Sequence, residues 1–465
     1  MRSSTVSLLL GGFFFLNSLS VKAQGVPPTL DSLLQATLDQ QQLSLNVKAL
    51  SAAIQFPDGS VWAGAAGFSS EFPFVKADTS MVFGIASITK TVTAGCIMQM
   101  ADDGLLGLDD SLHQWLDTFP HINPNITIRQ LLRHQSGIYD VLSAPNFQPT
   151  LLADPDSIWQ LADVIRTFIS VPDFQPGSGF KYSNTNYILL GMIAEEVAGQ
   201  PYYTEFRERL LAPLGLGAFS MRPFEPNTHP VAHAWYDFNG DGTVESAHNL
   251  LSTWHSFDAA TGPAGSYYAT ASDVARWVRA LVGGSVLSPA MLAQAKMTVN
   301  SGFPANTKYG LGLMERNFLG NKAYGHGGDF VYSGSAWYFP EKDKSIVVLN
   351  NDGSKSSWQI APAVQALLKT CLDYEMTLSA PLADNVLRME VFPNPFSDAI
   401  TLQTDLAVDW VLRNTLGETL RSGHSANPAG DRIAGLDSLP PGLYLLECYT
   451  EGKSLGIQKL LKNEG

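Results

Sequence analysis

The sequence predicts an α+β protein, and three patterns support this class. Residues 360–372 place apolar side chains at spacings of three and four, which is typical of an amphipathic helix. Residues 332–339 show the alternation of side-chain types that is typical of a β-strand. Beyond residue 389, short alternating segments are separated by turns rich in proline, asparagine and glycine, which predicts a small antiparallel β-sandwich of about 75 residues.

The composition is that of a globular protein with a sizeable core. The 465 residues are 45% hydrophobic and 15% charged. The 29 Lys and Arg residues against 43 Asp and Glu residues give a net charge of −14 without any basic run, so we expect no nucleic-acid partner. Cys96, Cys371 and Cys448 lie too far apart for a CxxC metal site or a disulfide framework. We expect neither a metal nor another cofactor.

The first 23 residues have the three-part order of a secretory signal peptide. A basic start at Arg2 is followed by a short apolar stretch, residues 6–16, and by a small residue at the expected cut, Ala23. This stretch is too short to span a bilayer, and no later segment is long and apolar enough for a transmembrane helix. The alternative is a buried N-terminal helix.

The remaining chain is predicted to contain two domains. The main domain is expected over residues 24–373, and a helix-like run ends it. Residues 374–388 include a Ser-Ala-Pro stretch and are expected to form a linker. The small β-sandwich then occupies residues 389–465.

The C-terminal segment contains three short motifs and a basic end. Its motifs are VFPNPF at residues 391–396, Leu-Gly-Glu at 416–418 and LPPGLY at 439–444, followed by the basic residues Lys459 and Lys462. They resemble the C-terminal sorting domain of the type IX secretion system. The resemblance implies that secretion machinery carries the protein through the periplasm and across an outer membrane, to the cell surface or the medium. The alternative is a β-sandwich binding module that stays attached.

A Ser-x-x-Lys pair occurs twice, and the local sequence separates the two copies. Residues 87–103 contain no proline and many apolar side chains, which predicts a mostly buried helix with Ser87 in its first turn. Residues three apart share a helix face, so Lys90 is expected beside the Ser87 hydroxyl. Ser178 and Lys181 follow a proline and a glycine in a predicted turn and need not converge.

Ser87 and Lys90 are suited to act as a nucleophile and its base. A lysine must lose a proton before it can accept one from serine, and its ordinary pKa is about 10.4. Burial in an apolar helix lowers the pKa because it disfavours the ammonium. The pair alone is weak support, since a surface serine beside a solvated lysine has the same spacing.

The sequence Tyr182-Ser183-Asn184 strengthens this interpretation. It follows the predicted turn and precedes a helix-like run, residues 188–198. The Tyr182 phenol can share a proton with Lys90, and the Asn184 amide offers both a donor and an acceptor to a substrate amide or ester.

The sequence His326-Gly327-Gly328 adds a third element. It is predicted to open the strand at residues 332–339. Two glycines let a substrate approach the strand backbone, whose N–H groups can stabilise an oxyanion.

These three motifs, in this order, resemble the serine β-lactamase and penicillin-binding DD-peptidase superfamily, in particular its class C-like branch. The resemblance covers about residues 28–372. It implies an antiparallel sheet covered by helices, with a mainly helical subdomain between about residues 100 and 210.

The resemblance also implies a role for each motif residue. The nucleophile would be Ser87, and Lys90 with Tyr182 would transfer the proton. The expected substrate-binding residues are Asn184, His326, Gly327 and Gly328, and the oxyanion would bind to the backbone N–H groups of Ser87 and Asp329. His326 stands where many relatives carry lysine.

Asp329 departs from the family pattern, where a hydroxyl or small side chain is usual. Its carboxylate is expected to repel the free carboxylate of a β-lactam or of a D-Ala terminus, or to recognise an amine. We therefore expect a secreted serine hydrolase that cleaves an ester or amide bond of a small molecule or short peptide through an acyl-enzyme on Ser87, of esterase or D-aminopeptidase type. The alternatives are a D-alanyl-D-alanine carboxypeptidase, a class C-type β-lactamase, and a catalytically silent surface binding protein.

Three further features are expected to be structural. His134 precedes a serine, but the family's matching segment is structural. Residues 237–242 imitate the start of a calcium loop, yet His248 occupies the twelfth position where glutamate is usual, which favours a plain turn. Five aromatic residues either line a cleft or pack in the core: Trp235, Tyr236, Trp254, Tyr267 and Tyr268.

Overall fold

A computed structural model of the chain describes residues 25–237, 240–247, 253–379, 389–404, 406–415, 417–427, 430–450 and 453–463. A nine-stranded antiparallel sheet with helices on both faces forms most of it, and two small antiparallel sheets follow. The predicted α+β class is thereby confirmed. The predicted signal peptide, residues 1–23, lies outside the described residues.

The main sheet is antiparallel between every pair of neighbours. Its strands, in spatial order, are Phe74–Lys76, Val61–Glu71, Ala49–Gln55, Lys344–Asn350, Ser333–Phe339, Asn321–Asp329, Met314–Phe318, Thr307–Tyr309 and Val299–Phe303. The first and last parts of the domain therefore meet at the centre of the sheet.

Helices cover this sheet and build a separate helical region between residues 100 and 211. The α-helices are Pro28–Leu45, Thr89–Asp102, Ile128–Leu132, Phe147–Ala153, Leu161–Phe168, Asn184–Ala198, Tyr202–Phe206, His255–Thr261, Ala271–Gly283, Pro289–Ala295 and Ser357–Ser379. Short strands join some of them: Phe83–Gly84, Tyr267–Ala269 and Ser220–Met221 form one small sheet, and Trp235–Tyr236 pairs with Glu245–Ser246.

The central strands are buried on both faces, so their side chains divide between two cores. Successive residues of a strand point to opposite faces. Leu50 and Ile54 pack with the first and last long helices, Pro28–Leu45 and Ser357–Ser379, whereas Ala53 belongs to the core shared with the helical region. The sheet is thus fixed from both sides, and it provides a rigid support for loops at its end.

Two boundaries differ from the sequence-based expectation. The last helix of the main domain continues to Ser379, past residue 373, because side chains such as Leu372 and Tyr374 still pack against the core. Residues 380–388 of the predicted linker lie outside the described part of the chain. The motif at 326–328 lies within the strand Asn321–Asp329 and does not open the next one, because the chain reverses after Asp329 before Ser333–Phe339 begins.

The C-terminal region consists of two sheets around one small core. One sheet contains Met389–Phe392, Ile400–Thr404 and Asp431–Ile433, and the other Thr419–Ser425, Val408–Asn414, Gly442–Thr450 and Lys453–Lys462. Both contribute to a common cluster of buried apolar side chains. Within the part of the chain that the structure describes, no helix is both long and apolar enough to cross a membrane.

Candidate active site

Ser87 and Lys90 meet at the start of a buried helix. Ser87 lies in a 3₁₀ turn, Ala86–Ile88, which leads directly into the helix Thr89–Asp102. In a 3₁₀ turn, side chains at positions i and i+3 eclipse. The Lys90 Nζ atom accordingly lies 3.0 Å from the Ser87 Oγ atom, so the predicted pair is formed.

The Lys90 ammonium is completely buried and surrounded by acceptors. Besides Ser87, it donates to the Asn184 Oδ1 atom at 2.7 Å and to the Ala264 carbonyl oxygen at 2.6 Å. Burial lowers the pKa of Lys90 to about 7, although the negative charge of Asp140 opposes this shift. Near neutral pH a large fraction of Lys90 is therefore uncharged and able to accept a proton.

Asp140 orients Asn184, and none of the sequence motifs indicated this residue. The Asn184 side-chain nitrogen donates to Asp140 Oδ2 at 2.9 Å, and the Asn184 backbone N–H donates to Asp140 Oδ1 at 3.2 Å. Since the amide nitrogen is held by this carboxylate, the amide oxygen faces Lys90. Asp140 is thus the fixed anion behind the Ser-Lys pair.

Tyr182 lies beside the same pair with its hydroxyl unpaired. The phenol is buried, and its oxygen has no hydrogen-bond partner among the described residues. Burial raises the pKa of Tyr182 well above its ordinary value, and the nearby Ser87 side chain partly opposes this. The Lys90 Nζ atom lies 5.0 Å from the centre of the ring. Tyr182 is therefore a neutral phenol in contact with the reacting groups.

His326 is buried and uncharged. Its Nδ1 atom donates to the Gly327 carbonyl oxygen, which leaves Nε2 to accept from the Tyr309 hydroxyl at 3.0 Å. Burial first, and then the charge of Lys90, lower the pKa of His326 to about 3. A lysine at this position would bring a positive charge to the site, whereas this imidazole brings none.

The two glycines of the third motif permit a close approach of backbones. A Cβ atom on Gly328 would lie 2.3 Å from the Ile85 carbonyl oxygen and 3.0 Å from the Ser87 nitrogen. A Cβ atom on Gly327 would lie 2.6 Å from Ser357 Oγ. Only glycine fits at 328 without displacing backbone, so the strand runs directly past the Ser87 N–H group.

The Asp329 carboxylate is held by the last helix of the main domain. It accepts hydrogen bonds from the Ser357 backbone N–H and, at 2.7 Å, from the Ser357 hydroxyl. A helix N-terminus stabilises negative charge in this way. Burial raises the pKa of Asp329, and the hydrogen bonds from Ser357 oppose that shift. Each oxygen of the Asp329 carboxylate therefore already has a donor within the protein.

A cavity of about 300 Å³ opens in front of Ser87. Its walls are mostly aromatic and aliphatic, as is typical of small-molecule sites. It is lined by Ala86, Ser87, Leu142, Phe147, Tyr182, Asn184, Phe257, Asp258, Thr261, Ala264, Gly265, Phe303, Met314, His326, Gly327, Asp329, Phe330, Ser357 and Trp358. Asp258 and Asp329 are acidic, and no lysine or arginine is among the described residues of this lining.

The cavity lining includes aromatic residues that the sequence motifs did not indicate. Phe147, Phe257, Phe303, Phe330 and Trp358 form the aromatic walls, and the motifs do not indicate them. The aromatic residues considered from the sequence, which include Trp235 and Trp254, are absent from the lining.

The second Ser-x-x-Lys pair is not part of this cavity. The Ser178 hydroxyl donates to the Gln175 carbonyl oxygen at 2.7 Å, and Lys181 pairs with Asp173. His134 is buried behind Tyr182, where its Nδ1 atom accepts from the Ser183 N–H at 3.2 Å. It holds the backbone that carries the second motif.

One group of acidic side chains is close enough to hold a metal ion among the described residues. The ligand atoms of Asp237, Asp241 and Glu245 lie within 4.8 Å of one another. Asp237 also accepts hydrogen bonds from the backbone N–H groups of Gly240 and Gly242, within the segment for which the sequence favours a plain turn. His248 lies outside the described residues.

The chain resembles known proteins over most of this domain. A family model described as Beta-lactamase matches residues 31–369. Penicillin-binding protein 4 of Amycolatopsis lactamdurans is 30% identical over 297 residues, which are 60% of this chain and 74% of that relative. Penicillin-binding protein 4* of Bacillus subtilis is 25% identical over 303 residues, or 63% of this chain and 64% of that protein, so the chain spans less than two thirds of its length.

A solved structure shows the same architecture. The D-stereospecific amidohydrolase from Streptomyces sp. superimposes with a TM-score of 0.63 and 28% sequence identity. The match covers 72% of this chain and 98% of the other.

Proposed function

Since the chain belongs to the beta-lactamase family, we propose that it is a serine hydrolase that cleaves amide or ester bonds through an acyl-enzyme on Ser87. One observation carries this proposal: a fully buried lysine, its pKa lowered to about 7, lies 3.0 Å from a serine hydroxyl that faces a cavity. A serine becomes a nucleophile when an adjacent base can take its proton.

The proposed first step is acylation. Neutral Lys90 takes the Ser87 proton, and the Ser87 Oγ atom bonds to the substrate carbonyl carbon. The carbonyl oxygen becomes an oxyanion that accepts from the backbone N–H groups of Ser87 and Asp329. The bond to the leaving group then breaks, and the proton held by Lys90 reaches the departing nitrogen or oxygen through the Tyr182 phenol.

Water completes the proposed cycle. The Lys90 and Tyr182 pair takes a proton from water, whose oxygen bonds to the acyl carbon. A second oxyanion forms, the bond to Ser87 breaks, and Ser87 regains its proton. The products are a carboxylic acid and the amine or alcohol released in the first step, and the protein is unchanged.

The charges of the cavity favour ordinary amides and esters over substrates with a free carboxylate. Neutral His326 and the two acidic side chains, Asp258 and Asp329, offer such a carboxylate no cation among the described lining residues. The similarity to an amidohydrolase supports the same preference. We therefore rank β-lactam opening and D-alanyl-D-alanine carboxypeptidase activity below amide and ester hydrolysis.

A fluorescent phosphonate tests the proposed nucleophile directly. We expect it to label wild-type protein on the peptide that contains Ser87 and to leave Ser87→Ala unlabelled. Ser178→Ala, the matched control, should be labelled as well as wild type. A folded wild-type protein that is neither labelled nor able to turn over aryl esters would contradict the proposal and favour a silent binding protein.

We also propose that residues 1–23 and 389–465 direct export, the latter through type IX secretion machinery. The sorting motifs at 391–396 and 439–444 support this. In a host with that machinery, deletion of 389–465 should leave active enzyme in the periplasm, whereas the full chain should reach the surface or the medium. Equal export of both forms would refute the role of the C-terminal region.

A further inference from the structure

The proposed mechanism uses neither of the two carboxylates that line the cavity, those of Asp258 and Asp329. Asp258 lies on the helix His255–Thr261, and its side chain is only 10% exposed. Its Oδ2 atom is buried and has no hydrogen-bond partner among the described residues. A buried carboxylate without a donor is costly, so a ligand that supplies one at the exposed part of the side chain, where Asp258 lines the cavity, is favoured.

The nearest cation does not satisfy this carboxylate. The Arg222 Nε atom lies 3.7 Å from Asp258 Oδ2, beyond hydrogen-bond distance. The Arg222 guanidinium instead lies over the Tyr268 ring, 5.0 Å from its centre. Burial raises the pKa of Asp258 to about 7, although the charge of Arg222 opposes this shift. A bound ammonium would favour the ionised form, whose carboxylate has about four acceptor sites and so has room for a further donor.

Asp258 differs in this respect from the other acidic side chain of the cavity. Asp329 already accepts two hydrogen bonds from Ser357 at a helix N-terminus. The sequence suggested that Asp329 could recognise an amine. Because the Asp258 carboxylate accepts no comparable hydrogen bonds among the described residues, it is better suited to bind that amine.

Asp258 is also linked to the reacting groups and to an apolar wall. Its helix continues into the turn Gly262–Ala264, and the Ala264 carbonyl oxygen accepts from Lys90. Next to it in the chain, Phe257 packs against Phe330 with the rings tilted and their centres 5.4 Å apart, and against Phe147 with the centres 6.5 Å apart. One ligand can thus reach the carboxylate, the aromatic wall and Ser87 within a single cavity.

We propose that Asp258 binds the free ammonium group of the substrate's acyl part. The preferred substrates are then amides or esters of amino acids, or short peptides, with an unblocked amino group and an apolar or aromatic side chain. A charge-assisted hydrogen bond to Asp258 holds the ammonium, and the aromatic wall takes the side chain. This inference rests on the proposed hydrolysis at Ser87.

The test compares phenylalanine p-nitroanilide with its N-acetyl derivative, each as the D and the L form, on the same protein. Wild type should prefer the free amine. Asp258→Asn should lower the ratio of the two kcat/KM values by about 10- to 100-fold, the worth of a hydrogen bond between charged groups. Asp329→Asn, the matched control, should keep the wild-type ratio. Because a partial loss of folded protein affects both substrates alike, the ratio cancels it.

The outcomes separate this inference from the proposed function. Equal rates on free and acetylated substrates by wild type, or an unchanged ratio in Asp258→Asn, would overturn the ammonium site while hydrolysis at Ser87 stands. Absence of any turnover together with absence of phosphonate labelling would overturn the proposed function itself.

Discussion

The two Ser-x-x-Lys pairs of this chain have the same spacing and opposite surroundings. Lys90 is fully buried and donates to three oxygen atoms, of Ser87, Asn184 and Ala264. The Lys181 side chain is 51% exposed and pairs with Asp173. Ser178 donates away from its lysine, to the Gln175 carbonyl oxygen.

The comparison shows that the environment, and not the spacing, sets whether a lysine can lose its proton near neutral pH. Burial disfavours the ammonium of Lys90 and lowers its pKa to about 7. Water stabilises the charge of an exposed lysine, and a carboxylate partner stabilises it further. Five experiments test whether the Ser87–Lys90 pair and the Ser178–Lys181 pair differ in function as they differ in burial.

Removal of each serine should have the largest and most unequal effect. Ser87→Ala should reduce kcat on an aryl ester by on the order of 10⁶, because no other group can form the acyl-enzyme. Ser178→Ala should leave kcat unchanged. Comparable losses in the two variants would mean that burial does not distinguish the pairs.

Removal of each lysine comes next. Lys90→Met keeps an apolar chain of similar length but no base, and kcat/KM should fall by about 10² to 10⁴. Lys181→Met should retain wild-type kcat/KM. Steady-state kinetics on one ester measures both changes, and circular dichroism verifies folding. Full activity of Lys90→Met would contradict the role of Lys90 as the proposed base.

A methyl group on the glycine beside each serine tests the backbone contact. Gly328→Ala forces a Cβ atom to within 2.3 Å of the Ile85 carbonyl oxygen and 3.0 Å of the Ser87 nitrogen. Displacing this oxyanion donor should cost about 10² to 10³ in kcat. Gly179→Ala is the control, since its Cβ would meet nothing closer than 3.6 Å. Wild-type kcat in Gly328→Ala would argue against the oxyanion site.

The pH profile reports the charge of Lys90. Because neutral Lys90 is the proposed base, log kcat/KM on an aryl ester without an amino group should rise with a slope of one up to about pH 7 and level off above it. The charge of Asp140 raises the pKa of Lys90, so Asp140→Asn should move the rising limb of the pH profile to lower pH. Asp173→Asn, beside the exposed lysine, should not move it. A limb that is the same in all three proteins would exclude Lys90 as the titrating base.

The smallest effect is expected on stability. Lys181→Ala breaks an exposed ion pair with Asp173 and should lower the free energy of unfolding by about 0.2 to 1 kcal/mol. Urea denaturation followed by fluorescence measures this change. A loss several times larger would show that the second pair contributes to the core and is not a solvated surface feature.

Local patterns were sufficient for much of the fold and for the first pair. The apolar runs predicted the helices at 89–102, 184–198 and 357–379 to within a few residues at most ends, and alternation predicted the strand Ser333–Phe339. The meeting of Ser87 and Lys90 depends only on four consecutive residues. Such features follow from backbone geometry over one or two turns, which neighbouring residues determine.

The charge state of the site required the folded chain. Ala264 accepts a hydrogen bond from Lys90 and Asp140 acts on Lys90 through its charge, both from segments 50 or more positions away. Ser357 reaches Asp329 across the last hairpin of the sheet. The sequence identified His326 as basic, yet burial and the nearby Lys90 keep it neutral.

The sequence by itself determined which groups can react: a serine with a lysine one turn away, a phenol, an amide and two glycines in a fixed order. Only the tertiary structure decided which lysine is buried enough to serve as the proposed base, which cavity carboxylate has an oxygen without a donor among the described residues, and which aromatic rings form the wall. The physical reason is that bond geometry acts over a few residues, whereas a pKa and a cavity depend on the burial that distant segments create when they pack together.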